Sequence, residues 1–123
     1  MTAEIARRIT CALLVLVLAP AGEMFGRATI QTKVRPTVAF APATVQIEVL
    51  IEADQENRVL QILIDSGEYL RVSTIALEGE RAPRFHSVVY RSLPAGRYEI
   101  QVALLDQTHT VRAIEHHWIN LVS

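Results

Sequence analysis

The stretch Leu93-Pro94-Ala95-Gly96-Arg97-Tyr98-Glu99-Ile100-Gln101-Val102 decides the fold of this 123-residue chain. Pro94 to Gly96 makes a tight corner, because proline fixes its own φ and glycine tolerates backbone that other residues avoid. Tyr98, Ile100, Val102 and Leu104 then recur at every second position, the period of a half-buried strand. A tyrosine just inside such a strand keeps its ring in the core while its hydroxyl finds a polar partner at the corner.

Working outward from the corner, short runs with period two dominate and no long segment after residue 21 carries a helical period. Thr44 to Asp54 alternates, with Val45, Ile47, Val49, Ile51 and Ala53 on one face and Leu50 as the exception. After the polar turn Gln55-Glu56-Asn57 comes Arg58 to Asp65, with Leu60, Ile62 and Ile64 on one face and Val59 and Leu63 on the other. Ser66-Gly67 is a turn signal. Glu68 to Leu77 is the next expected strand, with Tyr69, Ile75 and Leu77 in phase. A polar loop around Gly79 leads to Arg84–Leu93, read with Phe85, Val89 and Leu93 in one phase. Asp106-Gln107-Thr108 is read as a hairpin connection to a last strand, or pair of strands, from Thr110 to Val122. There Glu115 and His117 interrupt the apolar phase, and a β-bulge near Glu115 is expected. Val34 to Phe40 makes a first strand, confined by Pro36 and Pro42 to a sheet edge. About seven short antiparallel strands with turns every 8 to 12 residues predict one all-β sandwich over residues 34–123.

Leu93, Gly96, Tyr98, Ile100 and Val102 resemble the L-x-P-G-x-Y-x-x-x-V signature of fibronectin type III and related immunoglobulin-like domains. That resemblance implies that the Tyr98 hydroxyl bonds back to the upstream backbone and pins a corner between two sheets. With Phe85 ahead of it, the same segment is similar to transthyretin-like repeats of carboxypeptidase regulatory domains. Both families are seven-stranded sandwiches without a catalytic constellation, so the resemblance implies a fold and no chemistry. Trp118 lies near the C-terminus and not in an early strand, where many such domains bury a tryptophan.

The N-terminus has the layout of a secretory signal peptide: Arg7 and Arg8, an uncharged apolar run from Ile9 to Ala19, then Ala19-Pro20-Ala21. The run is shorter than the roughly 20 apolar residues of a membrane span. Residues 1–21 are therefore expected to be removed, with Ala28 as a second cleavage site and a retained anchor as the alternative. Residues 22–33 are expected to form a linker or disordered lead. With a composition read as bacterial, this layout predicts a periplasmic or secreted protein. Cys11 is the sole cysteine, so the exported part has no disulfide or thiol chemistry. Removing Arg7, Arg8 and Glu4 leaves ten basic and twelve acidic residues, with no basic patch for nucleic acid.

Candidate chemistry is sparse. His116 and His117 are adjacent, so on a strand they point to opposite faces. His109 and His117 share a face but stand about 26 Å apart, and His86 is isolated. Glu48 and Glu52 are about 13 Å apart along one strand, against the roughly 5 to 9.5 Å of a glycosidase pair. Asp54, Glu56 and Asn57 crowd one turn with oxygen ligands of the kind calcium takes. Ser66, Ser73, Ser87 and Ser92 have no nucleophile motif around them. Trp118 faces out if Ile119 and Leu121 face in, where it would stack on sugar or anchor a protein; packing under a loop or the lead segment is the favoured reading. No catalytic, cofactor or metal residue is assigned, and no enzyme is expected. The function expected from sequence is an exported non-catalytic module for protein interaction, scaffolding or envelope assembly, with an envelope protein bound by strand addition. A small carbohydrate- or calcium-binding module using Trp118 or Asp54–Asn57 is the alternative.

Overall fold

The computed structural model describes residues 29–123; the expected signal peptide and residues 22–28 lie outside the described residues. Eight strands follow in order: β1 Ile30–Arg35, β2 Val38–Phe40, β3 Ala43–Ile51, β4 Val59–Asp65, β5 Leu70–Ala76, β6 Phe85–Leu93, β7 Gly96–Leu105 and β8 Val111–Val122. The only helical element among the described residues is a 3₁₀ turn at Gly79–Arg81, and no helix there is long and apolar enough to cross a membrane. The strands form a three-stranded sheet, β1-β3-β6, and a five-stranded sheet, β2-β8-β7-β4-β5. All neighbours are antiparallel except β2, which runs parallel to β8. The all-β expectation therefore holds, while seven antiparallel strands become eight with one parallel pair.

The inner faces of the two sheets supply the core. Val45, Ile47 and Val49 of β3 are fully buried, and so are Leu60, Ile62 and Ile64 of β4. Ile100 and Val102 of β7 join the β4 residues in register. Each such side chain contributes about 1.5–3 kcal/mol by leaving water, so the alternation itself drives the two sheets together. The corner is built as expected: Tyr98 is fully buried and its hydroxyl donates to the Pro94 carbonyl at 2.7 Å.

Three local expectations are corrected. Residues 34–40 are not one strand. β1 takes in Ile30 to Lys33, and at Pro36, which has no N–H to give a ladder, the chain leaves the small sheet and enters the large one as β2. In β6, Phe85 and Val89 point outward and Val88 and Tyr90 inward. Tyr90 opposes Val45 and Leu93 opposes Ala43, so β6 spends an extra residue there, with Ser92 at φ 57°, and Leu93 returns to the core. In β8 the bulge lies at Arg112, between the partners of Leu104 and Leu105, and not near Glu115. Glu115 and His117 keep phase with Ala113, Ile119 and Leu121, so two polar side chains occupy inward positions.

Candidate functional site

The turn after β3 carries the oxygen-rich set Asp54, Glu56 and Asn57. Its cation is already supplied by the chain. The β8 bulge turns Arg112 toward the turn, where it donates to the Asn57 side-chain oxygen at 2.5 Å and to the Asp54 carboxylate at 3.2 Å. The other Asp54 oxygen accepts the Glu56 backbone N–H at 2.8 Å. That N–H, together with the Arg112 guanidinium, outweighs burial and holds the Asp54 carboxyl below its ordinary range. Asn57 is fully buried, and its amide donates to the Glu52 carbonyl at 2.9 Å. Its backbone carbonyl accepts the Gly79 N–H at 3.0 Å. Gly79 has φ +60°, and a side chain there would meet Arg58 and the Gln55 backbone. The cluster is a lock between the β3–β4 turn, the Gly79 loop and β8.

The histidines stay apart. The His86 ring lies 2.7 Å from the Pro83 carbonyl, and His109 sits in the β7–β8 turn at φ 64°. His116 pairs with Glu99 at 2.9 Å on the outer face of the large sheet. His117 faces the other way, 3.4 Å from Glu115. No group of three or more His, Cys, Asp or Glu residues able to hold a metal ion occurs among the described residues. Glu48 is tied to Arg35 at 2.9 Å, and Glu52 accepts the Thr29 hydroxyl at 2.7 Å.

The expected packing of Trp118 is corrected: it faces outward and is exposed, and no loop among the described residues covers it. The Arg97 guanidinium lies over its ring, 4.9 Å from the centroid. One aromatic face is therefore taken by a cation. Around it, the outer face of the large sheet divides into two ends. Asp65, Glu99 and Trp118 are aligned across β4, β7 and β8 at one end, next to Arg97. Toward the other end apolar and polar residues alternate: Val72 and Leu63 lie in line with Gln101 and His116, Thr74 and Gln61 with Ala103 and Ile114, and Val59 beside Leu105.

The edges differ in how they are guarded. Natural sheets blunt free edges with inward charges, prolines, bulges and lysines. β2 covers β8 only at Asn120–Val122, and the rest of that edge carries inward Glu115 and His117 and the Arg112 bulge. β1 carries Lys33 and Arg35 and runs into Pro36, and β6 carries its bulge at Ser92. β5 pairs with β4 without a register shift and contains no proline and no residue at positive φ. Its inward Arg71 and Ser73 are drawn off the edge. Arg71 lies over the Tyr90 ring at 5.6 Å, and the Ser73 hydroxyl bonds that of Tyr90 at 2.6 Å.

Comparison with known proteins places the fold but no activity. No family model matches the chain, and no curated protein matches it. A superoxide reductase (neelaredoxin) from Ignicoccus hospitalis has a similar fold, with a TM-score of 0.55 and 12% identity over 76% of this chain and 80% of that one. A variant of that protein gives the same TM-score and identity, with 76% and 79% covered. The CARDB domain of a Pyrococcus furiosus protein, solved in complex with di-metal ions, gives a TM-score of 0.49 and 13% identity over 77% and 94%.

These likenesses correct the expected function. A non-catalytic module was inferred because sandwiches with this corner lack a catalytic constellation. A sandwich of the same general shape serves as a superoxide reductase. Architecture therefore does not decide the matter, since activity resides in side chains placed on a fold. For the carbohydrate or calcium alternative, Arg97 covers one face of Trp118, and Arg112 already supplies a cation to the Asp54–Asn57 turn.

Proposed function

We propose that the chain works through a protein partner whose extended segment adds to the large sheet at β5. The observation that carries this is the contrast among the edges. Among the described free edges, β1 and β5 keep a regular backbone without proline, bulge or positive φ, but β1 bears outward Lys33 and Arg35 and ends at Pro36, whereas β5 bears no outward charge and its inward polar groups are tied to Tyr90. Strand addition draws affinity from main-chain hydrogen bonds and specificity from alternate side chains. On β5 those outward side chains are Leu70, Val72, Thr74 and Ala76. Strand addition is compatible with a catalytic or a non-catalytic sandwich.

Two further points belong to this reading. The strand order supports kinship with immunoglobulin-like sandwiches over transthyretin-like ones, while the Tyr98 corner fits both. Arg7, Arg8 and the Ile9–Ala19 run support export, which puts the partner in the envelope or outside the cell.

The test is affinity capture from an envelope fraction with the wild-type chain and with Thr74→Lys. A lysine at this exposed edge position blunts pairing without touching the core. The expected result is one protein recovered reproducibly by wild type and lost with Thr74→Lys. Recovery of nothing reproducible, or of the same protein by both, contradicts the proposal.

A further inference from the structure

The hydrogen bonds of the β4–β5 hairpin fix which groups of β5 are free. The Ser66 N–H donates to the Tyr69 carbonyl and the Leu77 N–H to the Arg58 carbonyl, at the two ends of the β4–β5 register. Along an antiparallel pair, hydrogen-bonded and non-hydrogen-bonded pairs alternate. Arg71, Ser73 and Ile75 therefore direct their N–H and C=O groups to β4. Leu70, Val72, Thr74 and Ala76 turn theirs to the open edge. An incoming strand bonds to these four. It then faces Arg71, Ser73 and Ile75 across non-hydrogen-bonded pairs, where opposed side chains come closest.

Those three positions have a definite chemistry. Arg71 opposes fully buried Ile64, so its side chain lies on the inner side of the sheet. It is exposed, with its guanidinium 5.6 Å from the centre of the Tyr90 ring. No ion pair among the described residues includes it. Ser73 is bonded to Tyr90, and Ile75 packs half-buried against the core. An inward charge at an edge deters strands that leave it unmatched. Arg71 thus disfavours an apolar or basic partner and is matched by an acidic one.

We infer that the strand received at β5 carries a carboxylate opposite Arg71 and an apolar side chain opposite Ile75. This rests on strand addition at β5, proposed above, and adds the chemistry of the partner. Antiparallel pairing continues the order of β7, β4 and β5 and is the commoner kind. In that direction the apolar residue precedes the acid by four positions. On the outer side, Leu70 and Val72, 62% and 49% exposed, take apolar neighbours. The chain as a whole has a net charge of −1, so a preference for an acidic strand has to come from a local cation.

The probe is a fluorescein-labelled peptide, Thr-Ile-Thr-Ser-Val-Glu-Val, which sets its Ile opposite Ile75 and its Glu opposite Arg71. Three companions replace Glu by Gln, replace it by Lys, or exchange Ile and Glu. Anisotropy is followed up to about 1 mM protein, which catches weak binding. Low ionic strength keeps an exposed pair unscreened. The Glu peptide should bind about 5-fold more tightly than the Lys peptide, with Gln between them. It should also bind more tightly than the exchanged peptide. Arg71→Glu should invert the Glu and Lys order with an unchanged far-UV spectrum, and Thr74→Lys should lose all four. Equal binding of the Glu and Lys peptides, an order that Arg71→Glu leaves as it was, or tighter binding of the exchanged peptide overturns the inference. Strand addition survives any of these results if Thr74→Lys still abolishes binding. Binding that persists in Thr74→Lys contradicts strand addition itself. Binding of none of the peptides overturns the inference and leaves strand addition to the capture experiment above.

Discussion

Tyr98 holds the corner through one hydrogen bond, from its hydroxyl to the Pro94 carbonyl, inside a residue with no exposure at all. Tyr98→Phe keeps the ring and orphans the carbonyl, so thermal unfolding should show a loss of about 0.5–1.5 kcal/mol. Burial also pushes the Tyr98 phenol above its ordinary value. The neutral form is thus favoured in the folded state. The corresponding stability is complete below about pH 10 and is lost as pH rises through the higher folded value. Alkaline titration of unfolding should show this step in wild type and lack it in Tyr98→Phe. Arg112 is the second residue that matters. Arg112→Met removes the donor to the buried Asn57 oxygen and should cost about 1–3 kcal/mol in chemical denaturation. The Asp54 ion pair adds little, since that carboxylate is partly exposed. Because the Asp54 carboxyl is held low, its contribution is present above about pH 4 and is lost as pH falls through the folded value. Arg112→Met should weaken this acid dependence without abolishing it, since the Glu56 N–H, the largest cause, remains.

Elements were legible from sequence wherever one face is buried and the other is wet. β3 is the clearest case: Val45, Ile47, Val49 and Ile51 alternate, and all four are buried. The β4–β5 and β7–β8 turns were legible through local chemistry. Asp65 accepts the Gly67 N–H, and Asp106 accepts the N–H groups of Thr108 and Thr110. Elements misread were those whose phase depends on a partner strand. The β6 bulge is visible only against β3, because Phe85, Val88, Val89 and Tyr90 fit either face by hydropathy alone. Glu115 and His117 looked like a break in phase because an inward polar residue is unexpected until the strand is known to be a free edge. The Arg112 lock was out of reach altogether: Asp54 and Arg112 stand 58 residues apart, and no local pattern joins them. Val59 and Leu63 carried the opposite lesson. Their outward apolar phase was plain in the sequence, and both stand half-buried on the outer face of the large sheet.

At the scale of the whole molecule, the sandwich leaves the regular edge of β5 without an outward charge to guard it. The central claim is that β5 receives a partner strand. Its most direct test is a photo-crosslinking amino acid placed singly at Leu70, Thr74, Arg35 and Glu115 in the cells that make the protein. The account predicts adducts to another protein from Leu70 and Thr74 on β5 and none from Arg35 on β1 or Glu115 on β8. Adducts confined to β1 or β8, or none from any of the four positions, would contradict it.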